Sequence, residues 1–192
     1  MGTTARLTLG EVNAFDQEAF VAALGGLVEG PPWIVKEAWN ARPFANLDAL
    51  HAALCRVMYD ARVERQVALL RAHPDLVGRA ALAGTLSPAS TGEQAAAGLD
   101  RLTPDEIAAF QRLNREYRER FGFPFVICAR ENKKDSILAG LAARTGQTRK
   151  QEIATALGEV AKICRLRLYD TVEAEKSDTR LGAEEPEHGR GD

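Results

Sequence analysis

Three side chains that lie far apart along the chain have the types needed for joint chemistry: His73, Glu93 and Arg167. His73 stands in Arg71-Ala72-His73-Pro74-Asp75-Leu76, where a helical pattern runs into a proline. Of the three histidines, His188 lies in a polar tail and His51 opens an ordinary amphipathic stretch. Only His73 sits at a helix end, where a side chain can face a pocket, and imidazole titrates near neutrality. It can be a general acid or base, or simply a terminator held by the carbonyl end of the helix dipole. Glu93 is spelled as the fourth member of a capping box, Ser90-x-x-Glu93. The cap alone accounts for it, but a helix start there also offers free backbone N–H groups to an anionic or carbonyl-rich ligand. Ser90, Thr91, Gly92, Glu93 and Gln94 are short or polar, so a ligand could approach their backbone. Arg167 falls about 20° around its helix from Val160, on the apolar face. A guanidinium there must be ion-paired or must reach a ligand carboxylate, because an unpaired buried charge is very costly.

A fourth feature is a segment rather than a side chain. Phe121-Gly122-Phe123-Pro124-Phe125-Val126-Ile127-Cys128-Ala129 is apolar throughout and has no helical period. Pro124 forbids a regular helix across it. Extended backbone buried in a helical protein leaves N–H and C=O groups that need partners. Either neighbouring side chains satisfy them, making the segment a connector, or a small polar ligand does. An imidazole, a carboxylate, an arginine, a helix start and free backbone together form an inventory for acid/base chemistry on a small anion without a metal.

The elements that must hold these groups read as helices. Phe20, Leu24 and Leu27 line a first helix, and Pro31-Pro32 start a second with Trp33, Val35 and Trp39. After Pro43, Asn46 can cap a third with Leu47, Leu50, Leu54, Val57 and Met58. A fourth carries Val63, Val67 and Leu70 and stops at His73. Beyond a loose stretch from Val77 to Ala89, capping-box spellings at Ser90, Thr103 and Thr148 open three more. Asp135 can cap a short helix with Ile137, Leu138 and Leu141. The last helix buries Ile153, Leu157, Val160, Ile163 and Cys164. No repeat or hairpin signal interrupts this pattern. The expected fold class is all-α: one compact multi-helix domain over residues 1–172, with 173–192 a polar, unstructured tail.

Composition narrows the function. The 192 residues are 45% apolar with a net charge of −2, which disfavours a nucleic acid or an anionic membrane as main partner. No apolar run approaches a membrane span, and Met1-Gly2-Thr3-Thr4-Ala5-Arg6 is not a secretory leader. The three cysteines, Cys55, Cys128 and Cys164, are odd in number and lie in apolar stretches far apart. They read as reduced thiols of a cytoplasmic protein, and no zinc-ligand spacing is present.

The chain resembles the 2-oxo-4-hydroxy-4-carboxy-5-ureidoimidazoline (OHCU) decarboxylases of urate breakdown over about residues 12 to 172. The pieces that carry the resemblance are Trp39-Asn40-Ala41-Arg42-Pro43-Phe44, His73-Pro74-Asp75-Leu76, Ser90-x-x-Glu93-Gln94, Ala97-Gly98-Leu99, Leu113-Asn114-x-x-Tyr117, Arg120 to Ala129, and Ile163-Cys164-Arg165-Leu166-Arg167-Leu168. The resemblance implies a compact all-helical homodimer with no metal and no cofactor, forming (S)-allantoin as product. It implies that His73 is the catalytic acid/base, with Glu93 and Arg167 catalytic beside it. It places substrate contacts on Pro74, on Ser90, Thr91, Gly92, Glu93 and Gln94, on Phe125, Val126, Ile127, Cys128 and Ala129, and on Arg167. Animal members often end in a peroxisomal tripeptide. This chain ends Arg190-Gly191-Asp192, which fits a cytoplasmic enzyme. The competing class is a non-catalytic helical module that binds a metabolite or partner, with an exposed apolar helix face and a replaceable His73. Hydrolysis of a related ureide is a second enzymatic alternative, though it usually relies on metal-ligand clusters.

Overall fold

Leu7–Thr8 (β1) and Val172–Glu173 (β2) pair as a two-stranded parallel sheet with Leu7 opposite Val172, so the two ends close on each other. A computed structural model describes residues 6–78, 81 and 83–173. Between the two strands the described chain is built of helices and their connections, and the fold is all-α as expected. A two-residue strand is too short to show alternation, which is why the pattern gave no sign of it. Of the expected tail, Glu173 pairs in β2, and residues 174–192 lie outside the described residues.

The first helices frame one side of the site. Helix α1 (Leu9–Ala14), not anticipated from the apolar spacing, is started by a reciprocal cap between Thr8 and Glu11. Helix α2 (Gln17–Leu24), capped by Asp16, runs into a 3₁₀ turn at Gly25–Leu27. Helix α3 (Trp33–Ala38) buries Ile34, Val35 and Ala38 and leads to a 3₁₀ turn at Trp39–Ala41. Arg42 then stacks over the Trp39 ring at 4.0 Å and donates to the Asn13 and Phe15 carbonyls, tying this corner together.

Helix α4 (Leu47–Asp60) is capped by Asn46, as its spelling suggests, and α5 (Val63–Ala72) ends at His73. Helix α6 (Pro88–Ala96) departs from expectation. It starts a turn earlier than Ser90, with Ser87 as its cap and Pro88 in its first turn. Proline fits there because the first N–H of a helix has no partner to lose. Helix α7 (Pro104–Phe121) opens on the Thr103/Glu106 capping box and closes at Gly122, whose φ of 78° suits a residue without a Cβ. A 3₁₀ turn at Ala129–Glu131 precedes α8 (Lys134–Arg144). Asp135 is not its cap: Lys133 is, with Ser136 Oγ accepting the Lys133 N–H. Helix α9 (Arg149–Thr171) begins at the Thr148/Gln151 box.

Helix α9 packs on α4, α5 and the turn after α2. It buries Ile153, Ala156, Leu157, Val160, Ile163, Cys164 and Leu168 in a single core. Each large apolar side chain so buried contributes about 1.5–3 kcal/mol relative to exposure. The cost of placing a charged residue on this face falls on Arg167 and Glu152, both buried. Each is answered by partners from distant segments.

Candidate active site

His73 combines the two roles its position allowed. As the last residue of the α5 ladder, it donates its backbone N–H to the Leu70 carbonyl at 3.2 Å. Its ring folds back so that Nδ1–H donates to the Leu69 carbonyl at 3.0 Å. A carbonyl only accepts, so the proton is on Nδ1 and Nε2 carries the lone pair. Nε2 is buried and has no hydrogen-bond partner among the described residues. Burial holds the imidazole below its ordinary pKa, with nearby Arg167 acting the same way. The Leu69 carbonyl and the charges of Glu29 and Glu93 pull in the opposite direction without prevailing. The ring is therefore neutral and offers a free base nitrogen.

Pro74 ends the helix, and the loop after it is pinned at three points. Asn114 Nδ2 donates to the Leu76 carbonyl at 2.7 Å, Gln94 Oε1 accepts the Val77 N–H at 3.3 Å, and Arg118 pairs with Asp75 at 2.7 Å. Val77 has a φ of 55°, a left-handed conformation that costs a β-branched residue about 1–3 kcal/mol and needs such anchors.

Arg167 is paired on the face where the helical spacing puts it. Its Nε and Nη2 donate to the two oxygens of Glu93 at 2.7 and 2.8 Å, the bidentate geometry natural to a guanidinium and a carboxylate. Nη2 also donates to Glu29 at 3.1 Å, and Nη1 to the Gly26 carbonyl at 3.3 Å. Burial by itself lowers the pKa of Arg167, but Glu93 and Glu29 outweigh it and hold the guanidinium more firmly protonated. Ser90 Oγ donates to the same Glu29 oxygen at 3.0 Å. Arg165, two residues earlier, points out and pairs with Asp48.

This pairing corrects the capping-box reading of Glu93. Glu93 sits inside α6 and turns to Arg167 instead of back to Ser90. The backbone of Ser90 to Gln94 belongs to the helix ladder: the Thr91 N–H goes to the Ser87 carbonyl and the Ser90 N–H to Ser87 Oγ. The free N–H groups expected there are not available, because Ser87 and Pro88 begin the helix first.

Helix α7 takes in Phe121, and from Pro124 to Cys128 the backbone is neither helix nor strand, as the lack of a helical period requires. Phe121, Phe123 and Phe125 gather around the Tyr117 ring, with centroids 4.7, 6.1 and 5.3 Å away. Arg144 donates to the Val126 carbonyl at 2.9 Å and lies over the Phe125 ring at 4.4 Å. Glu159 accepts the Cys128 N–H at 2.8 Å. No hydrogen bond among the described residues uses the backbone N–H or C=O of Phe125 or Ile127. The segment is thus part connector and part open backbone.

These pieces meet in one cavity, partly open to solvent. It is lined by His73, Pro74, Ser90, Glu93, Gln94, Phe125, Val126, Ile127, Ala129 and Arg167, all singled out from the sequence. Glu29, Leu76 and Ile163 complete the lining and were not anticipated. The only cue to Glu29 is a lone acid after the apolar run Leu27-Val28. Thr91 and Gly92 are not brought to the cavity: both are solvent-exposed on α6, and the Thr91 hydroxyl bonds to the Ser87 carbonyl. Cys128 is buried outside the lining, and burial also raises its thiol pKa. Among the described residues, no group of three or more His, Cys, Asp or Glu side chains is placed to hold a metal ion. Nor is any described helix long and apolar enough to cross a membrane.

Known proteins are similar to this chain. The family model described as OHCU decarboxylase matches residues 13–169. A 2-oxo-4-hydroxy-4-carboxy-5-ureidoimidazoline decarboxylase of Amia calva is 44% identical over 171 residues, 89% of this chain and 98% of that protein. One from Haloferax volcanii is 43% identical over 88% of this chain and 98% of its own length. Among solved structures, the crystal structure of an (S)-allantoin synthase superposes with a TM-score of 0.68 at 26% identity, covering 87% of this chain and 54% of that one. A crystal structure of OHCU decarboxylase in the presence of (S)-allantoin has the same fold, with a TM-score of 0.62 at 19% identity over 81% of this chain and 96% of that one.

Proposed function

The chain belongs to the OHCU decarboxylase family, and from that premise we propose that it converts OHCU to (S)-allantoin in urate breakdown, without a cofactor. The observation that carries the proposal is a buried, unpartnered imidazole nitrogen in the same cavity as a guanidinium held by carboxylates. The substrate ring bears a carboxylate and a hydroxyl on one carbon and a ureido group on the next. When the bond to the carboxylate breaks, its electron pair can move into the adjacent C=N, so the substrate supplies its own electron sink.

As CO2 leaves, the broken bond's electron pair forms a C=C between the two ring carbons and the C=N pair moves to its nitrogen, which takes up a proton from solvent. His73 Nε2 then accepts the hydroxyl proton as that carbon becomes the product carbonyl, and the C=C pair takes up a proton at the ureido-bearing carbon on one ring face. Arg167, fixed by Glu93, faces the negative charge that moves into the ring. The unused backbone groups of Phe125 and Ile127 suit the ring and ureido amides. Pro74, Ser90, Gln94, Val126 and Ala129 shape the remainder of the pocket. A binding module needs an exposed apolar helix face, whereas Tyr59 and Val63 are the only exposed large apolar side chains among the described residues.

The test uses fresh OHCU with wild type and His73→Asn, following the circular dichroism of the allantoin formed. Proton transfer of this kind is worth ~10²–10⁴-fold. A mutant with full rate and full enantiomeric purity removes His73 from the mechanism. We also propose a homodimer in the cytoplasm, to be checked by light scattering of the purified protein and by cell fractionation.

A further inference from the structure

Glu29 is the one carboxylate of the cavity that the proposed chemistry leaves without a task. Its place is built with care. Gly30, at a φ of 83°, brings the chain so close to the end of α5 that a Cβ would stand 2.7 Å from Ala72 Cβ. Only glycine lets the loop carrying Glu29 pass against the residue that precedes His73. Glu29 then bonds to Arg167 and Ser90 through a single oxygen, Oε1.

The donors of Arg167 can be counted. A guanidinium has five N–H groups. Nε and one N–H of Nη2 go to Glu93, the other N–H of Nη2 is shared between Glu29 and, at 3.4 Å, Ser90 Oγ, and one N–H of Nη1 goes to the Gly26 carbonyl. One N–H of Nη1 is left. A bidentate clamp on a carboxylate needs two N–H groups on one edge, so Arg167 cannot make one while Glu29 and Glu93 hold it. Two carboxylates against one guanidinium also leave an excess negative charge beside a neutral imidazole.

We propose that Glu29 is a positioning residue that keeps Arg167 from clamping the substrate's carboxylate, so that binding does not stabilise the group that must leave. This rests on the decarboxylase reading. A carboxylate bound tightly in the ground state loses that interaction as it becomes neutral CO2, and the loss adds to the barrier. Charge arriving in the ring still meets Arg167. The acids therefore direct the arginine toward the transition state rather than the substrate.

The probes are hydantoin-5-acetate, a five-membered ureide ring with a carboxylate, and its uncharged amide, with (S)-allantoin as reference. Each is titrated calorimetrically into wild type, Glu29→Gln and Glu29→Ala, the alanine serving as a second neutral variant should the glutamine disturb the loop. The neutral variants are expected to bind the acetate on the order of tenfold more tightly, with the amide and allantoin unchanged. With OHCU, KM and kcat fall together, leaving kcat/KM little changed. A purely structural role predicts that all three ligands weaken together, and that result overturns the proposal. So does unchanged affinity for the acetate in variants that still bind allantoin. A wild type that neither binds allantoin nor converts OHCU overturns the decarboxylase reading itself, and this proposal with it.

Discussion

Arg144 and Arg167 form two clusters that share most of their chemistry and differ in one respect. Both side chains are nearly buried, 11% and 9% exposed, and both grip one carboxylate through two nitrogens. Arg144 meets Glu152, which is fully buried and also accepts the Tyr117 hydroxyl, while its remaining contacts go to Val126 and Phe125. One cation faces one anion, with their bonding capacity spent on protein. Burial and the adjacent carboxylate push the Tyr117 hydroxyl pKa up, keeping it a donor. Arg167 meets two carboxylates, both partly open to a cavity. An arginine on an apolar helix face is thus a brace or part of a site according to whether its cluster closes on itself. The Arg144 cluster holds the wall, and the Arg167 cluster belongs to what the wall encloses.

The largest effect expected on the cavity side is from His73→Asn, which lowers kcat by ~10²–10⁴-fold while cooperative thermal unfolding persists. On the closed side, Glu152→Leu strands the Arg144 charge and costs about 3–5 kcal/mol of stability, read from urea unfolding. Adding Arg144→Met recovers much of it, because no buried charge is then unpaired. Activity per folded molecule survives if the cluster is only a brace, and its loss in the double variant would break the comparison. A smaller loss, about 1.5–3 kcal/mol, follows from Tyr117→Phe, which removes a hydrogen bond to a buried carboxylate.

The smallest effect is the pH dependence of His73. Its folded pKa lies below the unfolded value of about 6.5, so as pH falls through that value the unfolded chain takes up a proton that the folded one refuses. Stability is full above about pH 6.5 and declines on acidification by at most about 1.4 kcal/mol per pH unit from this group. The decline stops once the pH is below the depressed folded pKa. Melting temperatures of wild type and His73→Asn across this window should diverge in that sense. An identical slope in both would show that His73 is not held neutral.

Local signals in the chain were reliable where one mechanism acted alone. Asn46, Thr103 and Thr148 cap the helices their spelling announces. Pro124 and the missing period correctly implied a break in the helices, which covers Pro124 to Cys128, while Phe121 closes α7 and Ala129 opens a 3₁₀ turn. Where two local signals competed, the pattern misled. Ser87-Pro88 and Ser90-x-x-Glu93 both spell a helix start, and the proline in the first turn prevailed. The tasks of Asn114 and Tyr117, pinning Leu76 and bonding Glu152, appear only in three dimensions.

By itself, the sequence determined the helices other than α1 and the start of α6, the face on which Arg167 must lie and the helix end that carries His73. All three follow from periodicity and capping within a few turns of chain. The tertiary structure alone decided that Arg167 meets Glu93 and Glu29, that the His73 Nε2 is left without a partner, and that Arg144 braces Val126. Those contacts join residues whose separation along the chain carries no period, and they are selected by packing and by the cost of leaving a buried charge unpaired.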